Sequence, residues 1–356
     1  MRCFLSIIFA TILTTSCKKQ NNTLSYSSMY FPPLSSSWEM ITPSSQGWNE
    51  IELNNLYTFL DQKGTKGFIV LKNGRIVVER YFGSFNADSN WYWASAGKTL
   101  TSYLVGIAQQ EGKLRLSDKT SKYLGVGWTS LQAEKENLIT IRHQLTMTTG
   151  FDDGLGNPDC TLPSCLQYKA DASTRWAYHN APYTLLEKVV EAATHTTYNN
   201  YFQQKIRNPI GMNGLWVRQG YNNVYFSTPR SMARFGLLLL NKGMWDGKPI
   251  LTDSAYISAQ VNSSQDINPS YGYLTWLNGK SSYMLPQTQF KFNGSLISNA
   301  PADTYAALGK NDQKLYVVPS QNLVVIRMGE DAGNVQPAAS GFDNDLWGKL
   351  KLVMKL

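Results

Sequence analysis

Between Glu50 and Gln62, Ile51, Leu53, Leu56, Phe59 and Leu60 recur at a helical period and gather mostly on one side. Two β-rich runs follow, Gly67–Leu71 and Arg75–Tyr81. The Asn73-Gly74 pair between them predicts a type I′ hairpin. Trp91–Ala94 lead into a second helix, where Leu100, Tyr103, Leu104, Ile107 and Ala108 keep a helical period and Gly112 ends it. From about Leu116 to Leu240 the pattern is mostly helical and loop-rich. One helix starts at Pro182 with Leu185, Leu186, Val189 and Val190 facing inward, and another runs from Met232 to Leu240. The last hundred residues alternate turns with strands at Tyr271–Leu277, Thr304–Leu308, Lys314–Val318 and Leu323–Met328, then close with a helix over Phe342–Leu352. Strands at both ends with helices between predict an α/β (α+β) fold. One antiparallel sheet is built from both termini and flanked by helices, and an all-helical lobe is inserted into it. The sheet lobe takes about 46–115 and 241–356, the helical lobe about 116–240, and there is no internal repeat.

The first residues do not fit that body. Arg2, an apolar run over Phe4–Leu13 and small polar residues up to Cys17 read as an export signal over 1–16. The run is shorter than the ~20 residues a membrane-spanning helix needs. Thr14-Thr15-Ser16-Cys17 resembles a bacterial lipoprotein cleavage box, which implies a lipid on Cys17; an ordinary signal with a chance cysteine is the other reading. Residues 17–45, rich in Ser, Asn, Gln and Pro, read as a flexible tether before the domain at 46–356. The expected location is the periplasm or cell envelope, on a membrane through the lipid anchor.

The chain has 356 residues, 42% hydrophobic and 16% charged, enough apolar content for a folded core. Its net charge is +8, and loss of residues 1–16 removes only Arg2. The lysines and arginines are scattered, with no nucleic-acid motif, so the charge reads as surface chemistry and no nucleic acid is expected. Cys160 and Cys165 stand close together in a Pro-containing loop. An exported chain matures in an oxidising space, which suits a local disulfide. Metal ligation is the weaker rival, because no His or second Cys pair lies nearby in sequence. His143, His179 and His195 are too scattered for a metal site.

Ser95-Ala96-Gly97-Lys98 opens the second helix. Residues three apart share a helix face, so the Lys98 amine reaches the Ser95 hydroxyl. A serine hydroxyl is a poor nucleophile until its proton is taken, and desolvation turns a lysine into a base. Ser-x-x-Lys alone is cheap: Ser16-Cys17-Lys18-Lys19 also matches. The preceding hairpin and the apolar-periodic helix single out Ser95. Tyr-x-Asn occurs at Tyr178-His179-Asn180, Tyr198-Asn199-Asn200 and Tyr221-Asn222-Asn223. Only the first sits in an irregular stretch before a Pro-started helix. Residues two apart in an extended segment point the same way, so Tyr178 and Asn180 face one cleft, and the phenol beside Lys98 could serve as a phenolate base. A lone tyrosine is equally explained by core packing.

With these residues in hand, the chain resembles the class C β-lactamase-related serine hydrolases, a group of β-lactamase and penicillin-binding type. That group includes D-stereospecific peptidases, esterases and the 6-aminohexanoate-dimer hydrolase. Glu111–Lys119, Ile139–Gly150 and Tyr178–Tyr183 carry the resemblance, which runs from about Gly67 to Arg327. It implies an ester or amide hydrolase of small-molecule or peptide substrates, working as a monomer without cofactor or metal. Ser95 would be acylated, and Lys98 and Tyr178 would move its proton and later activate water. Asn180 would orient Lys98 and the substrate. The Ser95 N–H and one near Gly309, supplied by Lys310, would hold the oxyanion. Where the group carries Lys-Thr-Gly or His-Thr-Gly, this chain has Ala307-Leu308-Gly309: the glycine is kept, the cation and hydroxyl are lost. A binding or sensor lipoprotein on the same fold, with little turnover, is the alternative.

Two further features invite a functional reading. Asp152-Asp153 offer either an amine site or a solvated turn. Trp91, Trp93, Trp176, Tyr271, Tyr273 and Trp276 offer either an aromatic pocket or ordinary packing.

Overall fold

The computed structural model describes residues 28–35, 37–333 and 339–356. Strands β1 (Thr65–Lys72) and β2 (Arg75–Tyr81) form the hairpin that Asn73-Gly74 predicts, both turn residues with positive φ. With β3 (Trp276–Leu277), β4 (Tyr305–Gly309), β5 (Gln313–Val318) and β6 (Leu323–Gly329) they make one antiparallel sheet in the order β2-β1-β6-β5-β4-β3. Strands from the two ends of the sequence meet at β1·β6, where Ile69 faces Ile326 and Val70 faces Val325.

Helices cover both faces of this sheet: α1 (Glu50–Gln62), α2 (Gly97–Gln110), α3 (Pro229–Leu240) and α4 (Gly341–Met354). Alternation along β5 sorts them. Lys314 and Tyr316 point to α4, meeting Asp343 and Trp347. Leu315 points the other way, to α3, where a Cβ on Gly236 would stand 2.6 Å from its Cδ1 and 2.5 Å from Val324. Only glycine lets α3 lie that close to the sheet. Helix α1 packs beside α4 through stacked Phe59 and Phe342.

Three expectations change. Helix α2 reads as amphipathic, yet Gly97–Ala108 are buried without exception, because the helix runs between the sheet and the inserted lobe. Its polar residues are satisfied there: Thr99 Oγ1 donates to the Leu274 carbonyl, and Thr101 and Ser102 pair with the hydroxyls of Tyr198 and Tyr256. The lobe over 116–240 is not all helical. Leu215–Gln219 and Asn222–Ser227 form a hairpin, and Trp91–Tyr92 add to its edge. Tyr271–Leu277 is not one strand; only Trp276–Leu277 is, and Leu274 has positive φ in the turn before it.

The tether reading also needs correction within the described residues. Trp38 and Ile41 are buried, and the Trp38 indole donates to the Gly74 carbonyl at 2.8 Å. Arg234 donates to the carbonyls of Pro33 and Ser35. Two apolar side chains and one buried guanidinium outweigh a polar composition. The signal segment and Cys17 lie outside the described residues. No helix among the described residues is long and apolar enough to cross a membrane.

Candidate active site

Ser95 stands in a single 3-10 turn, Ala94–Ala96, that runs straight into α2. The residue before it, Ala94, has φ 47°, a left-handed conformation that costs a non-glycine side chain energy and turns the chain sharply. Trp93 holds that turn from below. It is buried, its indole donates to Ser227 Oγ at 2.8 Å, and its backbone N–H donates to the Tyr225 carbonyl. Ser95 itself remains half-buried at the surface of the cleft.

Lys98 lies one turn on, 3% exposed, with Nζ donating to Ser95 Oγ at 3.0 Å. Its Nζ sits 5.0 Å from the ring centre of Tyr178 and 4.3 Å from that of Tyr183. Burial pulls the ammonium down to about 7, against a through-space pull upward from Asp159. Near neutral pH a large fraction of Lys98 is therefore the free amine. Tyr178 moves the other way. Burial pushes its phenol well above the ordinary range, and hydrogen bonding with Ser95 and Trp276 only partly opposes that. Burial thus favours the protonated phenol of Tyr178 over the phenolate that the sequence reading allowed.

Tyr178 is braced by aromatic rings. It stacks on Trp276 at 5.5 Å, Tyr271 meets the pair edge-on, and Trp176 meets Trp276 and Tyr271 edge-on. Of the aromatic residues singled out in the sequence, these three form the wall behind Tyr178. Trp93 packs with Tyr225, and Tyr273 with Tyr256, away from that wall.

Asn180 begins the short helix Asn180–Thr184, two residues before Pro182. Its amide does not meet Lys98. Nδ2 donates to Asp159 Oδ1 at 2.7 Å, and the buried Oδ1 has no partner among the described residues. Cys160 and Cys165 are bonded to each other, with Cα atoms 5.9 Å apart.

On the opposite side of Ser95, β4 ends at Gly309 against the nucleophile turn. A Cβ there would fall 2.4 Å from the Trp93 carbonyl and 3.1 Å from the Ala96 nitrogen. Gly309 is thus required by close approach rather than by backbone angle. Lys310 follows in an exposed turn, while Ala307 and Leu308 are buried in the sheet. The turn is held from behind. Arg327, wholly buried on β6, donates to the carbonyls of Asn311 and Asp312, and Gln313 donates to that of Asn311. Gly309→Ala is expected to push the strand off the serine turn and cost roughly 100-fold in kcat on esters, the scale of a lost oxyanion donor. Steady-state kinetics with p-nitrophenyl acetate check this, and an unchanged kcat contradicts it.

The remaining candidates serve structure. His143 closes a capping box with Thr140 and bonds Ser173 through Nε2. His179 is buried, its Nδ1 has no partner among the described residues, and burial takes it down to about 4. His195 caps a helix in the left-handed region. Asp152 and Asp153 are paired with Lys169 and Arg175, so their charge is already met. No group of three or more metal-ligating residues occurs among the described residues.

The sequence reading missed Asp159 and Tyr183. Their only signals are adjacency: Asp159 precedes Cys160, and Tyr183 lies one helical turn after Asn180.

The sequence matches the family described as Beta-lactamase over residues 58–346. An uncharacterized protein of Alkalihalophilus pseudofirmus is 26% identical over 313 residues, covering 77% of this chain and 86% of that one. A putative β-lactamase from Bacteroides dorei superposes with a TM-score of 0.68 at 17% identity, over 87% of this chain and 100% of the other. A putative 6-aminohexanoate-dimer hydrolase from Bacillus anthracis superposes with a TM-score of 0.63 at 21% identity, over 83% of this chain and 80% of the other. At those identities the two structures speak for the fold, and the family match carries the assignment. The chain belongs to the β-lactamase family of serine hydrolases, with the β-lactamase and penicillin-binding-protein fold.

Proposed function

We propose that this protein is a serine hydrolase that cleaves small neutral esters or amides through an acyl-Ser95 intermediate. The observation that carries the reading is the buried Lys98 amine, 3.0 Å from a half-exposed serine hydroxyl. Lys98 takes the Ser95 proton as Oγ attacks the substrate carbonyl. The oxyanion sits between the backbone N–H groups of Ser95 and Lys310. Tyr178, protonated and beside Ser95, passes its proton to the leaving group as the C–O or C–N bond breaks, and the Lys98 ammonium returns a proton to the phenolate, so that the amine is free again. A water then attacks the acyl carbon, loses its proton to Lys98, and Ser95 Oγ leaves and is reprotonated. No metal or cofactor enters these steps. The chain acts in this reading as a monomer, exported and held at the cell envelope through Cys17.

Labelling by a fluorophosphonate, together with release of p-nitrophenol in many turnovers per protein, tests the reading. Labelling without turnover makes the protein an acyl-trapping sensor instead.

Substrate class follows from β4. Ala307 and Leu308 offer no cation and no hydroxyl where the resembling hydrolases bind a carboxylate. A charge-assisted hydrogen bond contributes ~1.5–3 kcal/mol. Its absence costs anionic β-lactams roughly ten- to a hundredfold. The expected result is a higher kcat/KM for p-nitrophenyl acetate than for a chromogenic cephalosporin. The reverse order places the missing contact on Lys310 or elsewhere.

A further inference from the structure

Lys310, Asn311 and Asp312 make the turn between β4 and β5. Two successive residues in it are left-handed, Asn311 with φ 57° and Asp312 with φ 56°. Asn and Asp tolerate that conformation better than most side chains, yet each still costs energy. Such a backbone persists only where its surroundings over-determine it.

The surroundings do so from two sides. At the rear, the carbonyls of Asn311 and Asp312 each accept from Arg327 at 3.0 Å, and Gln313 adds a second bond to the Asn311 carbonyl. The Asp312 carboxylate accepts from the Ala332 N–H at 3.1 Å and from the Ser340 hydroxyl at 2.6 Å, and Lys314 Nζ lies 3.1 Å from it. At the front, Asn311 Nδ2 donates to the Tyr92 hydroxyl at 2.8 Å. Tyr92 has its own support: its strand pairs with Phe226 and Ser227, and its ring packs against Trp91 and Phe226.

The front bond joins the two segments that carry the backbone donors described above. Ser95 lies three residues after Tyr92, and Lys310 lies one before Asn311. Among the described residues, neither the Ser95 N–H nor the Lys310 N–H donates to a backbone oxygen. Both are left for a ligand, and the Asn311–Tyr92 bond bridges the segments that hold them.

We propose that Asn311 and Tyr92 are positioning residues for the oxyanion site: their hydrogen bond sets the separation of the Ser95 and Lys310 N–H groups, while the rear bonds keep the turn folded. The proposal rests on the reading that these two groups receive the oxyanion. Two fixed donors stabilise that charge only when both stand about 2.7–3.1 Å from where it develops. A misplacement of about 1 Å costs up to ~10²-fold in rate. The charge exists in the transition state and not in the bound ester, so the loss falls on kcat more than on KM.

The experiment measures kcat and KM for p-nitrophenyl acetate, inhibition by phenylboronic acid, and the melting temperature. It compares the full native chain with Tyr92→Phe, Asn311→Gly, Asn311→Asp and the double variant Tyr92→Phe with Asn311→Gly. Rates are counted per serine labelled at completion by a fluorophosphonate, so misfolded chain does not enter. Tyr92→Phe removes one oxygen and leaves ring and backbone in place. Asn311→Gly removes the side chain and keeps the positive φ without strain. Asn311→Asp also tolerates that φ, and its carboxylate accepts from the Tyr92 O–H, so the tie is kept with its direction reversed. Phenylboronic acid forms a tetrahedral adduct on a nucleophilic serine and reports the same two donors.

Tyr92→Phe and Asn311→Gly are each expected to lower kcat by roughly tenfold with KM within about twofold, and to weaken phenylboronic acid by a similar factor. Asn311→Asp should recover most of the loss. The double variant should fall no further than the worse single one, because one bond is removed in all three. A residue that merely stabilised the turn would lower the melting temperature without moving kcat per labelled serine. Single variants with kcat within about twofold of native, in a protein where Gly309→Ala still loses activity, overturn the proposal and leave the oxyanion reading standing. So do losses that multiply in the double variant, or a KM that rises with kcat unchanged. If Gly309→Ala also leaves kcat unchanged, the oxyanion reading fails and the proposal falls with it.

Discussion

Ser95→Ala is expected to reduce kcat on p-nitrophenyl esters by roughly 10⁵-fold or more, the scale on which an acyl-transfer site loses its nucleophile. The protein should keep its melting temperature. The substitution removes one oxygen from a half-buried side chain, opens no sealed cavity and asks no new backbone conformation of the Ala94–Ala96 turn. The loss should be chemical, because without Oγ no acyl bond forms and water has no covalent intermediate to attack. Intact-mass measurement after brief mixing with a fluorophosphonate should show the adduct on the native chain and none on the variant. Residual turnover within a hundredfold of native activity rejects Ser95 as nucleophile.

The second large effect concerns the pair that handles the proton. Lys98→Ala and Tyr178→Phe should each lower kcat by ~10²-fold or more, the contribution of a positioned acid or base. The double variant should fall little below the worse single one, since both serve proton transfer at one hydroxyl, whose Oγ lies 3.0 Å from Lys98 Nζ. Losses that multiply would mean two independent devices. The pH profiles should also differ. Lys98 titrates at about 7 because it is buried, so native activity should rise with pH through that value. The rise should persist in Tyr178→Phe, which keeps the amine, and disappear in Lys98→Ala. A rise that survives Lys98→Ala assigns the titration to another group.

Local patterns foretold much of this molecule. The hairpin at Asn73-Gly74, the helix after Ser95 and the strands over 305–329 are short-range signals, and each forms within a few residues of where the pattern puts it. They are legible because turn chemistry and side-chain periodicity act between near neighbours. The buried faces of α2 were not, since its polar Thr99, Thr101 and Ser102 look solvent-facing until other elements close over them. The hairpin at 215–227 was hidden for a similar reason. It is a partly exposed pair in a helical neighbourhood, stabilised by pairing with Trp91–Tyr92 more than a hundred positions earlier.

The chemistry divides along the same line. The sequence alone determined that a serine and a lysine share one face at a helix start, that a tyrosine and an asparagine project together, and that the third motif lacks its cation. Spacing on one element is enough for the first two, and the third follows from the resemblance. Only the tertiary structure decided that Lys98 and Tyr178 are both buried, which favours the free amine of the one and the protonated phenol of the other. It also decided that the Gly309 backbone closes on the serine turn, more than two hundred positions beyond Ser95 in the chain. Desolvation and through-space fields depend on what surrounds an atom, and the surroundings of Lys98 come from segments that meet only when the chain folds.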